Sequence, residues 1–381
     1  MAALPIPTTA QLEHGELLKT LIRQKIHDAG GWVSFADFMH LALYTPALGY
    51  YSGGAQKFGL AGDFVTAPEI SPLFAQTIAR QAMQVMHICD GDILEIGAGT
   101  GRLAKELLLE LQLLESLPQR YLILEVSDHL RHIQQEVIEK HLPIELQQRV
   151  VWLNDLPENF NGLMLGNEVL DAIPVHLVHK TVEGWFERGV GFDGEFVWLD
   201  VPLTRPELVK HLPQDLPNGY LTEVCPAASG LIHSLADSLQ QGAILLVDYG
   251  FSAHEYYHPQ RSQGTLMCHF QHHAHPNPLI HVGLQDVTAH VDFTQIALAG
   301  KAHGVSLSGY ATQAQFLMNC GILDILAQHS PDSPQFMQLA AAAQKYLSPA
   351  EMGDLFKVIA FAKNMDEPLI GFAQGDKSHT L

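Results

Sequence analysis

The stretch that most constrains this chain is "DILEIGAGTGRL", Asp92 to Leu103. Five residues of buried-strand character run into Gly97, Gly99 and Gly101 at G-x-G-x-G spacing, and a helix-forming run follows. A glycine turn of this kind lets a ligand approach the backbone, and the helix N-terminus behind it offers free N–H groups. The pattern on either side repeats that logic. "SPLFAQTIARQAMQVM" reads as a helix, "GRLAKELLLELQLL" as a helix, "YLILEVS" as a strand, "DHLRHIQQEVIEKHL" as a helix, and "VVWLND" and "GLMLGNE" as strands. Alternation of this type predicts an α/β fold with a doubly wound, mostly parallel sheet.

The rhythm breaks twice. Residues 175–203 alternate in strand fashion around "EG" and "DG" turns, which suggests an antiparallel hairpin or meander. Residues 251–291 read as irregular. Between and after them come the helix "ASGLIHSLADSLQQ", the strand "AILLVDYG", the helix "DFTQIALAGKAHG", the strand "VSLSGYA" and a late strand near "LFKVIAFAK". Upstream, Leu17, Leu18, Leu21, Ile22 and Ile26 fit one helix face, and "WVSFADFMHLALY" fits a second helix with Ser34 as N-cap. The resulting plan is an N-terminal helical lid segment over 1–72, a catalytic domain over 73–365 with insertions at about 172–225 and 251–291, and a flexible tail over 366–381.

Composition excludes several classes. Of 381 residues 47% are apolar and 16% charged, which suits a packed core rather than disorder. The formal net charge of −20 disfavours nucleic acid and anionic lipid and favours a cationic small molecule or a basic protein segment. The four cysteines are far apart, so no disulfide framework or zinc spacing is visible. No run approaches the ~20 apolar residues of a membrane span. The N-terminus has neither a signal-peptide nor a transit-peptide character, so the expected setting is cytoplasmic and bacterial. Oligomeric state is not legible.

Two cofactors compete for the glycine turn. A dinucleotide fold wants G-x-G-x-x-G, and its third glycine would fall on Arg102. The compact triplet preceded by Glu95 suits S-adenosylmethionine, whose ammonium can meet a carboxylate. Glu125 ends the second strand, where an acid can accept ribose hydroxyls. Asp155, or the backbone beside it, ends the third and can meet the adenine amino group. Glu125 alone does not separate the two cofactors. As a set, Glu95, the three glycines, Glu125 and Asp155 favour S-adenosylmethionine.

The fourth strand end is "GNEVLDAIPV", with Asn167, Glu168 and Asp171. Sheet logic turns these groups toward the cofactor's methyl. Two carboxylates suit a cation such as a guanidinium, whose pKa lies above about 12 and which is not simply deprotonated before attack. Carboxylates can hold two of its nitrogens and align the third, with each charge-assisted bond contributing about 1.5–3 kcal/mol. The alternative is that Glu168 caps a helix and Asp171 begins one. Asp248 and Glu223 read either as cleft acids or as loop supports, and Tyr50 and Tyr51 either as ligand cover or as packing.

Taken together, "GYY", "FGLAGDFVTAPEISPLF", "LEIGAGTGRLA", "GNEVLDAIPV", "GYLTEVCPAA", "LLVDYGF" and "YYHPQRSQGTLMCHFQHHAHPNPLIHVGLQDVTAHVDF" resemble the MidA-like (DUF185) class I methyltransferases, from about residue 30 to 320. The family's mitochondrial members look like complex I assembly factors that methylate an arginine of a partner subunit. The resemblance implies S-adenosylmethionine held by the glycine turn and Glu125. It implies that Asp63, Thr66, Glu69 and Ser71 of "GDFVTAPEIS" fold over the cofactor, and that "GNEVLDA" lines the acceptor pocket. It brings His290 and Asp292 of "DVTAHVDF" toward the same pocket, although His290 between apolar neighbours equally suits a structural role. "APEIS" departs from the more usual serine-bearing form of that motif. The arginine assignment is carried by analogy. A cofactor-binding assembly or chaperone module with little turnover is the alternative. The histidine-rich run Cys268 to His281 has no clean ligand spacing, and no metal is expected there.

Overall fold

The computed structural model describes residues 4–53 and 66–381. The chain forms two compact units. One comprises Met1–Phe64, Leu170–Ala228 and Ala253–His290, and the other Val65–Val169, Ser229–Ser252 and Val291–Leu381.

The second unit holds the sheet read from the sequence. Its main strands are β1 (Asp92–Ile96), β2 (Tyr121–Leu124), β3 (Val150–Leu153), β4 (Phe160–Asn167), β5 (Leu239–Phe251), β6 (Ser306–Thr312) and β7 (Phe356–Lys363). Their spatial order is 3-2-1-4-5-7-6. The first five are parallel. β7 runs antiparallel between β5 and β6. The first crossovers move outward from β1 toward β3, and the later one moves from β4 to β5 in the opposite direction. Right-handed crossovers therefore put helices on opposite faces, and the order reverses between β1 and β4. Ligands bind such sheets beyond the carboxyl ends of the strands at that reversal.

Burial explains why these strands read as continuous apolar runs. Ile93, Leu94, Leu163, Met164, Leu165, Ile244, Leu245 and Leu246 are all essentially inaccessible. Strands covered on both faces have no polar alternation to display. Helix Arg102–Leu113 buries Leu103, Leu107, Leu108 and Leu111 against them, and each fully buried leucine contributes about 1.5–3 kcal/mol. Helix Pro72–Cys89 starts at Ser71, whose hydroxyl accepts from Leu73 N–H at 3.2 Å. Ser71 is thus a helix cap. Residues 66–71 belong to this unit, where the Tyr346 hydroxyl donates to Ala67 O at 2.9 Å.

The tail was expected to be flexible and is instead tied down. Leu369 and Phe372 are buried. Gly371 N–H donates to Gln81 Oε1, and Tyr310 N–H to Asp376 Oδ1. The apolar "PLIGF" supplies enough buried surface to order a short segment that has no periodicity to announce it.

In the first unit, helix Thr9–Asp28 is closed by a Thr8/Gln11 capping box. Its buried stripe is Leu18, Ile22 and Ile26, while Leu17 is 61% exposed and leaves the face expected of it. Helix Phe35–Tyr44 follows, with Ser34 as its N-cap accepting from Asp37 N–H at 3.1 Å. The first insertion is an antiparallel meander of His176–Thr181, Gly184–Asp193 and Glu195–Pro202, joined by Leu221–Val224 and Val33–Ser34. The second is more regular than expected. Met267–Phe270, His273–His275 and Asp286–Thr288 form a three-stranded sheet. Glu223 anchors it: this buried carboxylate accepts from Thr265 N–H, Leu266 N–H and the Tyr256 hydroxyl.

Candidate cofactor site and acceptor residues

All three glycines of the turn have left-handed backbones, at φ 63, 53 and 81 for Gly97, Gly99 and Gly101. The last two need glycine for different further reasons. A Cβ on Gly99 would meet nothing within 4 Å among the described residues, so none of these crowds the turn at that point. A Cβ on Gly101 would lie 3.1 Å from Gln134 Cα, so this residue lets helix Asp128–His141 pack against the turn. Helix Arg102–Leu113 then begins with no side-chain cap among the described residues, and the N–H groups of such an end suit an anionic ligand. Glu69 braces the turn from outside. It accepts from the Thr100 hydroxyl at 2.5 Å and lies 3.6 Å from Arg102 Nη1. Thr66 is the N-cap residue of the short helix Ala67–Ile70 that carries Glu69. Asp63 lies outside the described residues.

Glu95 is buried near the end of β1 and accepts from the Tyr121 hydroxyl at 2.6 Å. Burial pushes its carboxyl up to about 7, and the neighbouring Glu125 adds to the rise. Glu125 follows β2. Its Oε1 accepts from Ser127 N–H and its Oε2 from Gln134 Nε2, both at 2.9 Å. Burial raises this carboxyl too. Asp155, after β3, is exposed. The adjoining backbone is held by Arg131, which donates to Leu153 O at 2.7 Å and Asn154 Oδ1 at 3.0 Å.

At the end of β4 the backbone of Glu168 turns left-handed, at φ 54. A non-glycine residue held there costs of order 1–3 kcal/mol and persists where the surroundings enforce it. Here Glu168 N–H donates to Val247 O at 2.8 Å, and Val169 N–H to Asp248 Oδ2 at 3.1 Å. Asp248 is therefore a support for this loop. Asn167 Nδ2 donates to Glu168 Oε1 at 3.0 Å, and Asn167 Oδ1 is buried with no hydrogen-bond partner among the described residues.

Asp171 and His290 belong to the other unit. Asp171 is buried, and its carbonyl accepts from Ala289 N–H at 3.0 Å. Its charge helps raise the phenol of Tyr51, after burial, Asp286 and Tyr44. Tyr50 is core, fully inaccessible. His290 N–H donates to Thr265 Oγ1, which the buried Glu223 also holds. Asp292, in the sheet unit, caps helix Phe293–Ala302 through Thr294 N–H and Gln295 N–H. Among the described residues, one group has metal-ligand proximity: the exposed His233 and Asp237 with His303. The sequence drew attention instead to Cys268–His281, whose Cys268 and His275 are register partners between strands.

Sequence reasoning missed Gln134, Arg131 and the bracing role of Glu69. Nothing local distinguishes Gln134 from Gln135 beside it.

A sheet whose seven main strands follow this order with one antiparallel strand, and a glycine turn after β1, define a class I methyltransferase. The model of a family of S-adenosyl-L-methionine-dependent methyltransferases, Methyltransf_28, matches residues 77–311, and the chain belongs to that family. A Burkholderia thailandensis protein whose crystal structure holds S-adenosyl-homocysteine superposes with a TM-score of 0.96 at 48% identity, covering 100% of both chains. The mitochondrial protein arginine methyltransferase NDUFAF7 of Xenopus laevis is 29% identical over 86% of this chain and 80% of its own length. The human protein is 28% identical over 93% and 83%. Among the described residues no helix is long and apolar enough to cross a membrane.

Proposed function

We propose that this chain methylates an arginine side chain of a protein partner. Bound at the glycine turn, S-adenosylmethionine supplies an electrophilic methyl group on a sulfonium. In this reading Glu95 meets the cofactor's ammonium, and the first N–H groups of helix Arg102–Leu113 meet its carboxylate. Glu125 accepts the ribose hydroxyls, and Asp155 or its backbone meets the adenine. Glu69 and Thr66 support the turn, with Asp63 alongside in sequence.

The observation that carries the acceptor assignment is the left-handed Glu168. Its carboxylate stands at the end of β4, where Oε1 accepts from Asn167 Nδ2. There it grips two guanidinium N–H groups and leaves the remaining nitrogen to attack in line. The product loses one proton, which Glu168 accepts, so the acceptor keeps a single positive charge. Asp171 and His290 are assigned to the acceptor by the family resemblance. The arginine preference follows the relatives named as protein arginine methyltransferases and the chain's acidity.

Incubation with labelled S-adenosylmethionine and a lysate of basic proteins tests the proposal. Glu168→Gln is expected to bind the cofactor normally and to lose transfer by about a hundredfold. Unchanged labelling by that variant would sink the carboxylate role.

A further inference from the structure

Gln134 lies in the middle of helix Asp128–His141 and is completely buried. Its amide nitrogen donates to Gly99 O at 3.0 Å and to Glu125 Oε2 at 2.9 Å. Its amide oxygen accepts from Trp152 Nε1 at 2.9 Å. Both N–H groups and the carbonyl are thus used. The orientation of the amide is fixed by its partners, because a carbonyl and a carboxylate only accept and an indole N–H only donates. One side chain therefore ties together the glycine turn after β1, the acid after β2 and the indole on β3. The missing Cβ at Gly101 is what lets the helix come close enough to do this.

We propose that Gln134 is a positioning residue that joins the glycine turn and Glu125 into one preorganised adenosine cradle, and that Trp152 reports whether the cradle is filled. The inference rests on the reading of Glu125 as the ribose ligand. Each oxygen of Glu125 already accepts one N–H, from Ser127 and from Gln134. A carboxylate oxygen has room for a second donor, so the two fixed oxygens present their remaining acceptor sites to a diol. Without Gln134, Glu125 keeps its backbone bonds to Ser127 and Val126 but loses the side-chain bond to Oε2 that links it to the glycine turn. Preorganisation of this kind acts on affinity by removing an ordering cost.

The test uses the full chain, with S-adenosylhomocysteine as the probe, followed by calorimetry and tryptophan emission. Wild-type emission is expected to change saturably, and Trp152→Phe to abolish the change while weakening binding no more than about fivefold. Gln134→Leu is expected to weaken binding about tenfold or more and to lose the emission response even at saturation. In the double variant with Glu125→Gln, little further loss is expected, because both changes remove the same presented carboxylate. Fully additive losses, or wild-type affinity in Gln134→Leu, overturn the inference. Glu125→Gln that binds like wild type instead overturns the ribose reading on which it rests. Should Gln134→Leu fail to fold, Gln134→Glu has the same size and sets a carboxylate against Glu125 and Gly99 O. Its affinity is expected to fall at neutral pH and recover on acidification, and a pH-independent wild-type affinity overturns the inference.

Discussion

The Tyr121 hydroxyl donates to Glu95 Oε2 at 2.6 Å, from the strand beside it, inside a fully buried pocket. That bond lowers the Glu95 carboxyl, yet burial and Glu125 outweigh it and leave the group at about 7. The folded value lies above the ordinary one of 4.5. The folded state therefore binds more protons, and the group's contribution to stability is greatest below about pH 4.5 and is lost as pH rises through about 7. The shift corresponds to about 3 kcal/mol. In the chain without ligand, Glu95→Gln is expected to raise the melting temperature at pH 8 and to change it little at pH 5, as read by thermal unfolding at the two pH values.

A cation placed against Glu95 reverses that balance. If the cofactor's ammonium sits there, binding expels a proton near neutrality. The affinity for S-adenosylhomocysteine is then expected to rise between about pH 6 and 8 and to level off above. Calorimetry in buffers of different ionisation enthalpy measures the proton released. A pH-independent affinity with no proton release would remove Glu95 from the ammonium.

The glycines of the turn are expected to separate by substitution. Gly99→Ala strains a left-handed backbone by about 1 kcal/mol but meets no neighbour among the described residues, so stability falls little. Its methyl enters the space in front of the turn, and cofactor affinity falls by about tenfold or more. Gly101→Ala adds, besides the strain at φ 81, a 3.1 Å contact with Gln134 Cα that the facing helix must relax to accept, and is expected to lose stability as well. Chemical denaturation and ligand titration of the two variants distinguish the cases, and equal stability losses would refute the assignment.

Glu168→Gly makes a complementary prediction. Glycine accepts φ 54 freely, so the variant is expected to be at least as stable as the wild type while losing transfer. Asp248→Asn loosens the same loop through Val169 N–H. It is expected to lower turnover with little change in cofactor KM, as steady-state kinetics would read.

Much of this was legible in the sequence. β1, β2, β4 and β5 announce themselves because strands buried on both faces need unbroken apolar runs. The proposed site residues Glu95, Glu125 and Glu168 stand out as acids at the ends of those runs. Gln134 does not, because its value comes from Gly99, Glu125 and Trp152, which lie on three other elements. Glu69 meets Thr100 across 31 positions of chain, and Asp248 meets Val169 across 79. Periodicity reports which face of an element is apolar, not which polar group waits on the next one. The sheet at Met267–Thr288 was hidden for a related reason: its strands have three or four residues each, too few for an alternation to register.

Methyl transfer to arginine through Glu168 has a defined chemical product. Tandem mass spectrometry of proteins incubated with the full chain and isotopically labelled S-adenosylmethionine tests it most directly. Labelled methylarginine is expected with the wild type and its loss with Glu168→Gln. Label on lysine, on a carboxylate or on a small molecule alone, or methylarginine formed equally by both, would contradict it.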